Sequence, residues 1–399
     1  MKQEKRLIKL IDTAIEFLIY GILFVVIFSR ALLELFLALT IILWVIKIVL
    51  LKKLSIEKPR LAILIPFLFV ISGSFSLYNS THVLTSLREL LNMVEYFLLF
   101  FIISQEMAQE ERLKKIVFVG IFVLSIISLD ALFQFFSGTD FLRLRPSGDI
   151  NGHKRLTASF SHPNNLGGFI AITLPILMFS LLYYPFKTTR FSKRMGIMLL
   201  LFILVFITAM TYSRGTWLAL FLAFLLFFSL RDFKMLFAGL LLLGIISFFI
   251  PGFLSERIKD IFNIHNITSQ MRLDTWKKAL ELSQMHPIIG NGLKSFSKIY
   301  EGGYVHNCYL QLLAEMGIIG LVLFIWFIFY FIVYNIKSFF ISNTSVHKIF
   351  FLALASGLVA YATHSFIDTN LFSMPLAITF WYFLGINVAY IHYINVTTN

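Results

Sequence analysis

The sequence predicts an all-α polytopic membrane protein. Three observations carry this. Of the 399 positions, 58% are apolar (the AVILMFWYC set) and only 14% are Asp, Glu, Lys or Arg. Mean hydropathy is +0.84. The apolar residues fall in runs of membrane-spanning length. A soluble domain averages about 45–50% apolar residues with glycine counted in, and about 25% charged, so no water-soluble surface can be built from this material. Soluble enzymes, nucleic-acid-binding modules and disordered scaffolds are excluded. The net charge of +13 reads as the positive-inside bias of a multi-span protein, not as a nucleic-acid footprint. One cysteine, Cys308, excludes an internal disulfide and a thiolate metal cage.

A spanning helix takes about 20 mostly apolar residues. Twelve runs qualify: 12–29, 31–50, 61–78, 88–104, 116–136, 164–184, 196–212, 215–230, 235–251, 317–335, 349–366 and 373–393. Charged or turn-forming residues break them, among them Lys52, Lys53 and Pro59, Ser137 and Gly138, Pro185, and Pro251 and Gly252. The first run is too long for a cleaved signal and no small-residue cleavage site follows it. One integral membrane domain over 1–399 is expected. With the N-terminus inside, the inside segments hold 19 Lys and Arg and the short outside segments hold 7. Both termini are therefore expected in the cytoplasm.

Two outside segments, 137–163 and 252–316, hold most of the remaining polar residues and are expected on the side of the membrane away from the cytoplasm. The second is the only long hydrophilic stretch, and a loop of that length is uncommon unless functional. ATP and nucleotide sugars are cytoplasmic, so a substrate on this face must carry its own activation. Within the loop, 269–284 reads as an amphipathic helix with Ser269 as N-cap and Leu273, Trp276 and Leu280 as its apolar face. Arg272 then lies in the first turn. A turn follows at 290–292, and a second helix opens near His306 and runs into the tenth span.

Each candidate has two readings at this point. Free N–H groups in a first helical turn favour an anion, and the guanidinium of Arg272 makes a fork suited to phosphate oxygens; alternatively it caps the helix or stacks on Trp276. His306 is a catalytic group or a hydrogen-bonded interfacial histidine. Arg214, between two apolar runs, snorkels or is functional, because an ionisable group so close to hydrocarbon is costly. Glu34, Glu89 and Glu95 are expected to pair with Arg30 and Arg88 as buried structural pairs rather than to form a proton path. Zinc, redox, phosphate-loop and nucleophile-elbow motifs are absent. No Asp-x-Asp pair occurs, so no metal is expected.

Three blocks, read together, resemble the O-antigen ligase and polymerase superfamily. The first runs from Arg155 through Leu156, Thr157, Ala158, Ser159 and Phe160 to His162, Pro163, Asn164, Asn165, Leu166 and Gly167. The second is Ser213 to Trp217. The third joins Arg272, Trp276, Ala279 and Leu280 to His286, Pro287, Gly290 and Gly292, and then to His306, Asn307, Tyr309, Leu310, Gln311, Glu315 and Gly317. The likeness covers about residues 140–330 by motif and the remainder by topology. It implies a C-type glycosyltransferase fold and a metal-independent, inverting enzyme with no cofactor. That enzyme takes a glycan from undecaprenyl pyrophosphate and passes it to the lipid A-core of lipopolysaccharide, at the periplasmic side of a bacterial inner membrane, where the loops 137–163 and 252–316 would form the catalytic face. It implies further that Arg214 and Arg272 hold the pyrophosphate and that His306 activates the acceptor hydroxyl. Arg155, Asn164, Asn165, Trp276, Asn307, His364 and Asp368 are secondary candidates for substrate binding. The other partners expected are membrane lipids.

The acceptor divides the superfamily. A polymerase passes the glycan to a second lipid-linked repeat, and related enzymes pass it to protein hydroxyls. The block from His306 to Gln311 and the chain length favour the ligase. A lipid-glycan flippase or small-molecule transporter fits the spans equally well. Transporters place binding groups near the bilayer midplane on broken helices, whereas here the arginines and histidines lie in outside loops.

Overall fold

The computed structural model describes residues 2–52, 60–150, 152–183, 191–237, 239, 241, 267–301 and 303–398. Within them the chain is a bundle of helices. They are α1 (Lys2–Val25), α2 (Arg30–Leu51), α3 (Arg60–Ser76), α4 (Val83–Glu106), α5 (Glu110–Ser137), α6 (Pro163–Tyr183), α7 (Phe191–Met210), α8 (Arg214–Arg231), α9 (Ile267–Met285), α10 (Ser295–Ile299), α11 (Cys308–Ile341), α12 (Ser345–Ser365) and α13 (Met374–Thr398). A short antiparallel hairpin, β1 (Gly148–Ile150) and β2 (His153–Arg155), pairs Gly148 with Arg155.

Eight of these helices are long and apolar enough to cross a membrane: α2, α3 with the short 3-10 turn after it, α5, α6, α8, α11, α12 and α13. Length and apolarity thus support eight spans among the described residues, against the twelve expected. Three other expected runs are helical but fall short. Charged residues interrupt α1 (Lys9, Asp12, Glu16) and α4 (Arg88, Glu89, Glu95), and the apolar part of α7, Arg194–Met210, is too short. The ninth run, 235–251, and the first part of the long loop, 252–266, lie largely outside the described residues.

Between helices in lipid the hydrophobic effect supplies little, so close packing holds the bundle together. In the spanning window of α13, 89% of residues are buried, against 22% in α2, so α13 is central and α2 peripheral. The small residues Ala353, Ala355, Gly357 and Ala360 of α12 are buried and let α6, α8 and α11 pack against it. Aromatic rings fill the space between α11, α12 and α13: Tyr361 stacks on Phe380 at 4.0 Å and Phe327 on Trp381 at 5.9 Å. Such a pair contributes about 0.5–1.5 kcal/mol beyond its buried area. Phe17, Phe118, Phe202 and Phe329 face outward, a surface suited to acyl chains.

The partly buried ion pairs are not those expected. Lys47 Nζ lies 2.7 Å from both Asp12 Oδ1 and Glu106 Oε1, and Arg112 Nε lies 3.1 Å from Glu16 Oε2. These ties join α1, α2, α4 and α5 at the end of the bundle away from the hairpin. Arg30 does bond Glu34, at 2.9 Å, but both side chains are exposed. Glu89 pairs with Lys294 from the distant loop, not with Arg88.

One junction fixes that loop to the bundle. Gly317 interrupts α11 at φ 67° and ψ −169°, a backbone region that essentially only glycine occupies. A Cβ there would sit 2.3 Å from the Ile288 carbonyl oxygen, and one on Gly290 (φ 80°) would sit 2.3 Å from that of Glu315. The two backbones touch, and the break frees carbonyls that the loop uses. Gly292 N–H donates to Glu315 O (3.0 Å), Asn291 N–H to Ala314 O (3.2 Å), and Ile318 N–H to Pro287 O (2.9 Å). The Asn291 amide adds bonds of 2.8 Å to Leu282 O and Ala314 O.

Gly317→Ala is expected to destabilise the protein by at least the about 1–3 kcal/mol of a strained backbone site, read as a lower melting temperature in detergent. Gly120→Ala, which meets open space in α5, is the matched control and leaves the melting temperature unchanged or raises it.

Candidate functional site

At the end of the bundle where α5 ends and α6, α8 and α11 begin, four segments surround a cavity of about 380 Å³. Arg155, His162, Asn164, Tyr212, Ser213, Arg214, Arg272, Thr275, Tyr304 and His306 are among its lining residues. Three blocks far apart in sequence thus meet in one place.

Each cation is held by local structure. The buried Gln134 of α5 accepts from the N–H groups of Thr157 (2.9 Å) and Ala158 (2.8 Å) and donates to Thr157 Oγ1 (2.9 Å). This fixes the chain just after β2. Leu156 N–H then bonds Met210 O at 3.0 Å and Arg155 Nε bonds Thr211 O at 2.8 Å, docking the hairpin on the turn between α7 and α8. Arg214 opens α8 and donates from Nη2 to Ser269 Oγ on α9 at 3.3 Å. It is tied into the site, not a lipid-facing anchor. Arg272 lines the cavity from α9.

The α9 helix starts at Ile267, two residues before the expected cap. Ser269 is therefore inside the helix and receives Arg214, and Arg272 stands in the second turn rather than the first. The inward stripe also differs from the expected one. Leu273 and Leu280 are exposed; Thr275, Trp276, Ala279, Leu282 and Ser283 turn inward. Trp276 packs with Ala279, Leu282, Phe296, Val305 and Ala314 beneath the cavity instead of lining it. The size of Leu273 and Leu280 suggested the wrong face. The small Ala279 is buried in one cluster with Ala314 of α11.

His306 adopts a left-handed backbone (φ 53°), which few non-glycine residues do and which clusters at functional sites. Its neighbours impose it. Val305 is buried and its carbonyl accepts from Thr275 Oγ1 at 3.2 Å. Asn307 caps α11, its Oδ1 accepting from Leu310 N–H at 3.0 Å. Asn307 thus positions the start of α11 and is not among the described lining residues.

Behind His306 stands Asp368, on the loop between α12 and α13. His306 Nδ1 lies 3.5 Å from Asp368 Oδ1, and Asn164 Nδ2 donates to Asp368 Oδ2 at 2.8 Å. Arg155 Nη2 in turn donates to Asn164 Oδ1 at 3.3 Å. A polar chain thus runs from Arg155 through Asn164 and Asp368 to His306. Burial by itself would push the Asp368 carboxyl up, but His306, His364 and the Thr369 N–H hold it well below the usual carboxylate range. An ionised Asp368 favours the proton of His306 on Nδ1, which leaves a lone pair on Nε2.

The remaining candidates separate. His364 is buried and bonds Asn370 Oδ1 at 2.8 Å, shaping the loop that carries Asp368. Asn165 contacts Ser161 at 3.4 Å and is not among the described lining residues. Three residues were missed. His162 lines the cavity and its Nδ1 accepts from Asn164 N–H at 3.3 Å; it stood in the first sequence block without a role. Tyr212, beside Arg214, lines the cavity as well. Gln134 carried no local signal, since its partners are 23 and 24 residues away.

Chemically, the cavity suits a polyanion. Three guanidinium groups surround it, and the N-terminal ends of α6, α8 and α11, each with a partial positive charge, open nearby. His306 lines it as well.

A search of curated proteins gave no match. Residues 199–325 match the family model described as O-antigen ligase. The superfamily resemblance carried by the sequence blocks is thus shown over residues 199–325, the stretch that holds Arg214, Arg272 and His306.

Proposed function

We propose that this chain is a membrane glycosyltransferase of the O-antigen ligase type. It moves a glycan from undecaprenyl pyrophosphate to the lipid A-core of lipopolysaccharide. It works at the periplasmic face of the inner membrane, with both termini in the cytoplasm and with no metal or cofactor. The observation that carries this reading is the convergence of Arg155, Arg214, Arg272 and the His306–Asp368 pair on one cavity. A transporter would need its charged groups near the middle of the bundle; here they stand at one end.

The chemistry follows from the arrangement. The acceptor hydroxyl oxygen attacks the anomeric carbon of the glycan as its proton passes to His306 Nε2. The bond from that carbon to the phosphate oxygen breaks, and undecaprenyl pyrophosphate leaves with the electron pair. Charge develops on the leaving pyrophosphate, where Arg214 and Arg272 stabilise it. Guanidinium stays protonated throughout and offers two parallel donors. Asp368 holds the imidazole tautomer and stabilises the imidazolium that forms. One displacement inverts the anomeric centre and needs no protein nucleophile.

His306→Ala is expected to lower the transfer rate by about 10²–10⁴-fold, the usual contribution of a general base, with donor binding intact. Asp368→Asn lowers kcat less and leaves the donor KM in place. Both are read by steady-state transfer with purified protein; wild-type turnover in His306→Ala removes it from the mechanism. Arg214→Lys and Arg272→Lys each lose a bidentate bond to a charged group and weaken transfer by about tenfold or more. Undiminished transfer in both lysine variants shows that the arginines serve the fold alone. In cells, a deletion strain tests the acceptor on a lipopolysaccharide gel with lipid-linked glycan analysed alongside. Loss of the ladder, with polymer left on undecaprenyl pyrophosphate, is expected for the ligase. Collapse to core plus one repeat identifies a polymerase.

A further inference from the structure

A second cavity, of about 170 Å³, opens at the same end of the bundle. Arg30, Glu89, Asn92, Tyr96, Lys294 and Tyr304 are among its lining residues. Tyr304 lines both cavities. The two share a second wall as well: the loop that carries Asp368 continues to Leu371, Phe372 and Met374, which border the second cavity. His306, two residues after Tyr304, lines the first cavity, and Asp368 lies three residues before Leu371, which lines the second.

The two cavities differ in charge. In the first, three arginines converge. In the second, the cations carry their own counter-charges: Lys294 pairs with Glu89, and Arg30 with Glu34 at 2.9 Å. Glu89 also accepts from Asn92 Nδ2 at 3.1 Å. The result is a locally balanced set of donors and acceptors beside aromatic rings. Such a surface suits a ligand with many hydroxyls, each of which donates and accepts, and gives a polyanion no advantage.

Lys294 is held there deliberately. Its backbone is left-handed at φ 61°, and its N–H donates to the buried Glu315 Oε2 at 2.6 Å. Leu293 O accepts from the buried Ser86 Oγ of α4 at 2.7 Å. A lysine needed only as a solvated charge has no reason to sit on a pinned, strained backbone.

We infer that the second cavity binds the terminal saccharide of the acceptor, with Asn92 and Lys294 bonding its hydroxyls and Tyr304 separating it from the donor. This rests on the glycosyltransferase reading above. A base that serves both substrates must face the acceptor hydroxyl on one side and the donor on the other, and His306 lines the first cavity two residues from Tyr304, which lines both.

The test uses full-length protein in proteoliposomes with undecaprenyl pyrophosphate-linked glycan as donor. Two acceptors run in separate arms: lipopolysaccharide truncated at its core, and a single lipid-linked repeat. Two variants are measured, Asn92→Leu, which leaves the Lys294–Glu89 pair in place, and Lys294→Met. The expected result is a rise of about tenfold in the acceptor KM, the loss of one bond to a sugar hydroxyl from a polar or charged group, with the donor KM unchanged. A rise in only one arm names the acceptor. An unchanged acceptor KM in both variants overturns the inference and leaves the transfer reaction standing. Equal rises in both constants overturn it in favour of a structural role. No transfer by wild-type protein in either arm overturns the functional reading itself, and this inference with it.

Discussion

The backbone contact between Gly290 and Gly317 is the constraint on which the site depends. A loop carrying Arg272 and His306 has to be held on a bundle that exposes many large apolar side chains. Side-chain packing in lipid gives weak registration, because acyl chains compete equally well for apolar surface. Backbone hydrogen bonds do not have that weakness, since an unpaired peptide group near hydrocarbon costs several kcal/mol. The break at Gly317 exposes the carbonyls of Ala314 and Glu315 to the loop, and the missing Cβ atoms let the two chains meet. From that junction α9 runs back along the start of α11, so Arg272 and His306 come to the same cavity.

The charges are arranged with the same economy. Arg155, Arg214 and Arg272 come from a hairpin, a helix start and a loop helix, and each is fixed by a bond to a neighbouring segment or by its place on a packed helix. Asn164 is the hinge of the arrangement. It takes a bond from Arg155 and gives one to Asp368, so one of the cavity's arginines and the carboxylate nearest His306 share a partner.

Much of this was legible in the sequence, and what was not has physical reasons. Arg214, Arg272 and His306 stood out because charged and titratable residues are rare in a chain this apolar, and the structure brings all three to one cavity with Arg155 and Asn164. Asp368 was ranked low because its partner lies 62 positions away and nothing local in the sequence links them. Trp276 packs against a small apolar cluster and Asn307 caps a helix, and neither is among the described lining residues; a motif does not separate a residue that lines a cavity from one that positions it. The face of α9 was misread because burial there follows the close approach of Ala279 to α11, not the size of the apolar side chains. Charge placement within α1 and α4 explains why fewer helices meet the requirement for spanning than the apolar runs suggested. Lys47, placed inside an apolar run, was the signal for the partly buried ion network that the expected pairs at Arg30 and Arg88 did not supply.

Whether the cavity breaks a bond or only passes a lipid-linked glycan across the membrane is the central question. The direct measurement is transfer by the purified full-length protein in proteoliposomes, in the presence of a metal chelator and without nucleotide. The donor is labelled undecaprenyl pyrophosphate-linked glycan and the acceptor is core-truncated lipopolysaccharide. The expected result is labelled lipopolysaccharide with one undecaprenyl pyrophosphate released for each glycan joined. Intact donor appearing on the other side of the vesicle, with no glycosidic product, contradicts the account and makes the protein a transporter.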